Sequence, residues 1–88
     1  FNTFEGMVRI VYEKGESENL AELLRALPGV TTVTNAGSSE EMQTMTFKVK
    51  LISQKTGEKA FEAFKTNAMK KYSGITNIEI ANETIIDK

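Results

Sequence analysis

The sequence has no cysteine, no histidine and a single aspartate, Asp87, close to its end. Without cysteine, a disulfide-stapled scaffold is excluded, and so is a thiolate-held metal or iron–sulfur site. A chain without thiols fits a reducing compartment, and a cytoplasmic or virion-associated location is expected. Histidine is the commonest acid–base side chain near neutral pH and the commonest metal ligand. Its absence removes Ser–His and Cys–His nucleophilic sites. Calcium and two-metal centres draw on clustered Asp and Glu, whereas the glutamates here are spread along the chain. The usual parts of an enzyme are missing, so no catalytic residue, metal or cofactor is expected.

A surplus of positive charge is lacking too. Eleven Lys and Arg stand against twelve Asp and Glu, for a formal net charge of −1. Binding through phosphates normally needs a basic excess, so nucleic acid is not an expected partner. No apolar run approaches the roughly 20 residues that span a bilayer, and no signal-peptide pattern opens the chain. A membrane is therefore not an expected partner either. Starting at Phe1 rather than Met reads as the mark of a trimmed or processed product. Eighty-eight residues suit one small domain, residues 1–88, able to fold alone with a modest margin.

What is present is patterned. Residues 7–13, MVRIVYE, alternate, with Val8, Ile10 and Tyr12 on one side and Arg9, Val11 and Glu13 on the other. That period predicts a strand with one buried face. Ser17 or Asn19 can cap the helix that follows, and Asn19 with Glu22 has capping-box spacing. Leu20, Leu23, Leu24 and Leu27 then form a helical apolar stripe, which Pro28 stops and Gly29 turns. Residues 30–36, VTTVTNA, are β-branched and predict a second strand; GSSEE (37–41) reads as a loop. In 44–52, TMTFKVKLI, Met45, Phe47, Val49 and Leu51 point inward, and Thr46, Lys48, Lys50 and Ile52 outward. Thr56 is placed to cap a second helix, with Glu58 in its first turn and Phe61, Phe64, Ala68 and Tyr72 on its buried side. Residues 75–81, ITNIEIA, predict a fourth strand, with Ile78 and Ile80 inward, and the tail adds a short strand or packs loosely.

The order is βαββαβ, which is the α+β, ferredoxin-like plan: a four-stranded antiparallel sheet with two helices on one face. In it the first and third strands are central and the second and fourth are edges. The stretches LPGVTTV (27–33) and YSGITNI (72–78) then occupy equivalent places in two βαβ halves. Gly29 and Gly74 both suit the left-handed position after a helix.

Three surfaces are candidates for function. From Pro28 to Ser39 no residue is charged, so the second strand appears as an edge without the Lys, Pro or bulge that usually blocks pairing. Val30, Thr32, Val33, Thr34 and Asn35 are its candidate pairing residues, toward a second copy or a partner strand; the competing reading is that a loop or the tail covers them. The outer face of the sheet carries Arg9, Val11, Lys48, Lys50 and Ile52. It has none of the aromatics with which RNA-recognition modules stack bases, and Val11 with Ile52 is a candidate apolar centre for a sheet-to-sheet dimer. Lys14, Gly15 and Glu16 lie before a helix start, where backbone N–H groups can hold an anion, although the spacing matches no phosphate-loop motif.

Along VRIVYEKGESENLAELLRALPGVTTVTNAG, continued in KAFEAFKTNAMKKYSGITNIEIANETI, the chain resembles the small ferredoxin-like regulatory domains of the ACT and RAM type. The resemblance implies association through edge strands or sheets, and a ligand loop at Lys14, Gly15 and Glu16. Lys14 stands where those families commonly carry an acidic residue. ALPGVTTVTNAG with FKVKLISQKTGEKAFEAFK is also similar to small proteins of marine tailed phages, which implies no activity. Taken together, the expectation is a non-enzymatic interaction domain that forms a homo-oligomer or takes a protein partner. The alternative is a domain that senses an amino acid or an anion.

Overall fold

A computed structural model describes residues 1–13 and 19–87, the last seven of these as backbone only. The elements run β1 (Asn2–Tyr12), α1 (Leu20–Arg25), β2 (Val30–Ser39), β3 (Thr44–Ser53), α2 (Gly57–Lys71) and β4 (Ile75–Asp87). The four strands form one antiparallel sheet in the order β2-β3-β1-β4. This is the ferredoxin-like α+β arrangement, with β1 and β3 central and both helices on one face.

The core lies between that face and the helices. Phe4, Val8, Ile10, Tyr12, Phe47, Val49 and Leu51 rise from the central strands to meet Leu20, Leu24 and Leu27 around α1 and Ala60, Phe61, Phe64 and Ala68 of α2. The alternation in β1 carries back through Phe4 and Gly6, both buried, so this strand starts five residues earlier than its strongest apolar run. Gly6 is there for packing: a Cβ would stand 2.8 Å from Cζ of Phe61. The two helices are tied at their ends by the Tyr72 hydroxyl, which donates to the Leu23 carbonyl at 2.9 Å.

Several local expectations need correction. Asn19 is the N-cap of α1 but has φ 66° and makes no side-chain cap bond. A capping side chain reaches the helix N–H groups from an extended backbone, so the box with Glu22 does not form. Thr56 does have the extended backbone of a cap, but only its carbonyl is engaged, by the Ala60 N–H at 2.8 Å. Ser17 lies outside the described residues. Gly29 has the left-handed φ of 80°, whereas Gly74 is not among the positive-φ glycines.

The shared device in the two repeats is therefore not the glycine conformation. The Gly29 carbonyl accepts from the Ile52 N–H at 2.8 Å and the Gly74 carbonyl from the Glu13 N–H at 2.9 Å. Two residues on, Thr31 Oγ1 donates to the Lys50 carbonyl at 3.2 Å and Thr76 Oγ1 to the Val11 carbonyl at 3.1 Å. At both threonines the edge strand slips register against its central neighbour, between Val30 and Thr32 and between Ile75 and Asn77. Each edge strand thus begins with a bulge sealed by a threonine hydroxyl. Val33 and Ile78, two residues further along, are buried. The motif reads as carbonyl clamp, strand entry, hydroxyl seal, core anchor.

Candidate functional site

With both helices on one side, the other face of the sheet is covered by none of the described residues. Register places Thr32 beside Lys50 and Thr34 beside Lys48 on β2 and β3. It then sets Lys50 beside Glu5, Lys48 beside Met7, Thr46 beside Arg9 and Thr44 beside Val11 across β3 and β1. Arg9 in turn faces Glu79 on β4. Arg9 Nη1 lies 3.4 Å from Glu79 Oε2, and Lys48 Nζ lies 3.6 Å from Glu5 Oε1. All these side chains are partly exposed, where such pairs contribute at most about 1 kcal/mol each. Glu5 and Met7 belong to this face although the apolar run of β1 did not point to Glu5. Continuing the alternation back through Phe4 is the signal that locates it.

Arg9, Val11, Lys48, Lys50 and Ile52 do share the open face. Val11 and Ile52, however, do not form one apolar centre. Ile52 pairs with Thr3, eight residues along β1 from Val11, a separation of about 26 Å at roughly 3.3 Å per residue. The middle of the face is instead threonine, Met7 and paired charges.

The β2 edge is better guarded than its lack of charge suggests. Register slips occur at Thr31 and again between Asn35 and Gly37, which leaves a regular stretch of four residues, Thr32 to Asn35. Within it the Val33 carbonyl accepts from Arg25 Nη2 at 2.9 Å. Asn35 Oδ1 accepts from the Gly37 N–H at 2.8 Å, a local turn that favours the second bulge. Bulges twist an edge away from further pairing, and the guarding cation comes from α1. Of the five candidate edge residues, Val33 faces the core, Val30 packs against it, and Thr32 and Thr34 stand on the open face with Lys50 and Lys48.

A cleft of about 460 Å³ opens at the end of the sheet where β1 starts and β3 stops. Pro28, Leu51, Ile52, Ala60, Ala63 and Phe64 supply its apolar lining. A second, more polar groove of about 510 Å³ runs between α2 and β4, lined by Glu58, Glu62, Lys65, Asn77 and Glu79 among others. A smaller cavity of about 220 Å³ lies beside Leu20, Leu23, Tyr72 and Gly74. Lys14, Gly15 and Glu16, the candidate ligand loop, lie outside the described residues. Among the described residues no cluster of acidic side chains is placed to hold a metal ion, and no helix is long and apolar enough to cross a membrane. No protein-family model matches the chain, and no curated protein matches it.

Proposed function

We propose that the chain is a non-enzymatic interaction domain that associates with a second copy of itself, within a viral or bacterial assembly. The observation that carries this reading is the uncovered face of the four-stranded sheet, whose charges are arranged in columns. Lys48 and Lys50 stand on β3, and Glu5 stands beside Lys50 on β1. A twofold axis running between β1 and β3 sets Lys50 of each copy against Glu5 of the other, so the same patch is complementary to itself. Of the two surfaces considered, the open face suits this role better than the β2 edge, because the bulges and Arg25 restrict strand pairing there. The test is the mass in solution of the chain and of two variants. Lys50→Glu weakens the association, and Thr32→Lys, which also alters the face, weakens it less. A stronger association on Arg25→Glu, which removes the guard of the edge, with no effect of Lys50→Glu transfers the site to the edge.

The second reading is a small-ligand sensor. The observation favouring it is the 220 Å³ cavity bounded by Leu20, Tyr72 and Gly74, which has the size for an amino acid or a small anion rather than a large ligand. A ligand that binds only the folded state raises the melting temperature. A thermal-shift screen of amino acids and inorganic anions tests it, and a flat response across the set counts against it.

A further inference from the structure

The sheet has a second edge, and it differs from the first. β4 is an outermost strand, paired among the described residues only with β1. Alternate residues along it therefore turn their N–H and C=O groups away from the sheet. Over 77–81 its register against β1 runs without a slip, from Val11↔Asn77 to Met7↔Ala81. That regular run is longer than the one from Thr32 to Asn35 on β2. Arg25 occupies the Val33 carbonyl of β2, whereas among the described residues no side chain hydrogen-bonds to the main chain of 77–81.

Beside this edge lies the groove of about 510 Å³ between α2 and β4. Glu58, Glu62, Lys65 and Thr66 form its helix wall, and its strand wall runs from Asn77 to Ile80. Glu58 and Glu62 are exposed, and among the described residues neither has a cation within ion-pair distance. Glu79, held by Arg9 at 3.4 Å, adds a further carboxylate. Lys65 is the one cation among the lining residues.

We propose that the β4 edge takes up an extended basic segment of a partner protein as a fifth strand, with Lys or Arg at alternate positions. The pairing uses main-chain groups of β4 and does not rest on the self-association proposed above. Those groups supply affinity that any extended chain can use, and the charge of the groove selects among chains. An added strand follows the pleat, so every second side chain rises on the helix side, where Ile78 and Ile80 of β4 and Glu58 and Glu62 of α2 line the groove. Ile78 is buried and Ile80 half-buried. The stem of a Lys or Arg covers the remaining apolar surface of Ile80 while its head reaches a carboxylate. A second copy of the chain is a poorer occupant. Its own β4 edge carries the same carboxylate excess, and like charges beside a strand edge oppose pairing. The edge is thus closed to itself and open to a basic strand.

Fluorescence anisotropy tests the proposal with labelled, end-capped peptides of about eight residues, enough to span the regular run. One alternates Lys and Thr, and one alternates Glu and Thr. Two more are Lys–Thr peptides N-methylated on one or the other set of alternate amides. The Lys–Thr peptide is expected to bind, to weaken as salt is added, and to slow hydrogen exchange along 77–81. The Glu–Thr peptide is expected not to bind. Only one set of amides faces β4, so one N-methylated peptide is expected to lose binding and the other to keep it. Glu62→Lys is expected to weaken binding by about threefold to tenfold and Lys65→Glu to tighten it by a similar factor, with circular dichroism confirming that each variant is folded. Binding that survives both N-methylations is charge attraction alone and overturns the added strand. Equal binding of the Glu–Thr peptide, or indifference to Glu62→Lys and Lys65→Glu, overturns the basic partner. Exchange along 77–81 that slows as the chain alone is concentrated makes a second copy the occupant and overturns the peptide. No binding of any peptide at about 1 mM, the weak limit of specific recognition, overturns the proposal altogether.

Discussion

At the scale of single residues, the two glycines of the repeat do different work although their neighbours match. Gly29 combines φ 80° with a Cβ position 2.9 Å from the Ile52 carbonyl oxygen, so any side chain is strained and crowded there. Gly29→Ala is expected to cost about 1–2 kcal/mol or more, and Gly74→Ala less than about 0.5 kcal/mol. Urea melts of both variants check this, and equal costs contradict the assignment. The threonines behave as a pair. Thr31→Val and Thr76→Val each remove one hydroxyl seal while keeping a β-branched side chain, and each is expected to cost about 0.5–1.5 kcal/mol. Because the carbonyls they leave are exposed to water, larger losses are not expected. If one substitution is costly and the other silent, the bulges are not the same device used twice.

At the scale of elements, the depth of β1 depends on α2. Gly6 leaves the space that the Phe61 ring fills, and Phe61 meets Phe64 edge to face with centroids 6.5 Å apart. Gly6→Ala overpacks this contact and is expected to cost about 1–3 kcal/mol. Phe61→Leu, damaging in the parent chain, is expected to cost less in the Gly6→Ala background, because the shorter side chain accommodates the added methyl. Additive losses contradict the contact. The same level explains what the sequence could and could not disclose. Alternation in 7–13 and 44–52, the β-branched runs at 30–36 and 75–81, the leucine stripe at 20–27 and the apolar side of Phe61, Phe64, Ala68 and Tyr72 were together enough for the order βαββαβ, and hence for a sheet face away from the helices carrying Arg9, Lys48 and Lys50. The start of β1 was hidden because Gly6 puts no apolar side chain at an inward position, although Phe4 continues the period. The guarding of β2 was hidden for a different reason. It depends on Arg25, which belongs to another element, and on bulges that arise only where two strands meet. The cleft at the end of the sheet was equally illegible, since its walls come from the Pro28 corner, β3 and α2, which are brought together only by the fold.

At the scale of the whole molecule, the distribution of exposed groups is uneven. One face of the sheet is covered by helices and the other by none of the described residues, one edge is obstructed, and one end carries an apolar cleft. Net charge near zero leaves little long-range repulsion between copies, which suits the self-association proposed above. With 88 residues, burial within one chain is also limited, and the proposed contact between two copies would add stability that depends on concentration. The chain should therefore melt at a higher temperature as its concentration rises.

The most direct test of self-association is the mass in solution, by sedimentation equilibrium or light scattering, from low to high micromolar concentration. The account predicts a species of twice the 9.8 kDa chain mass that dissociates on dilution and on Lys50→Glu. A single 9.8 kDa species throughout that range would contradict it.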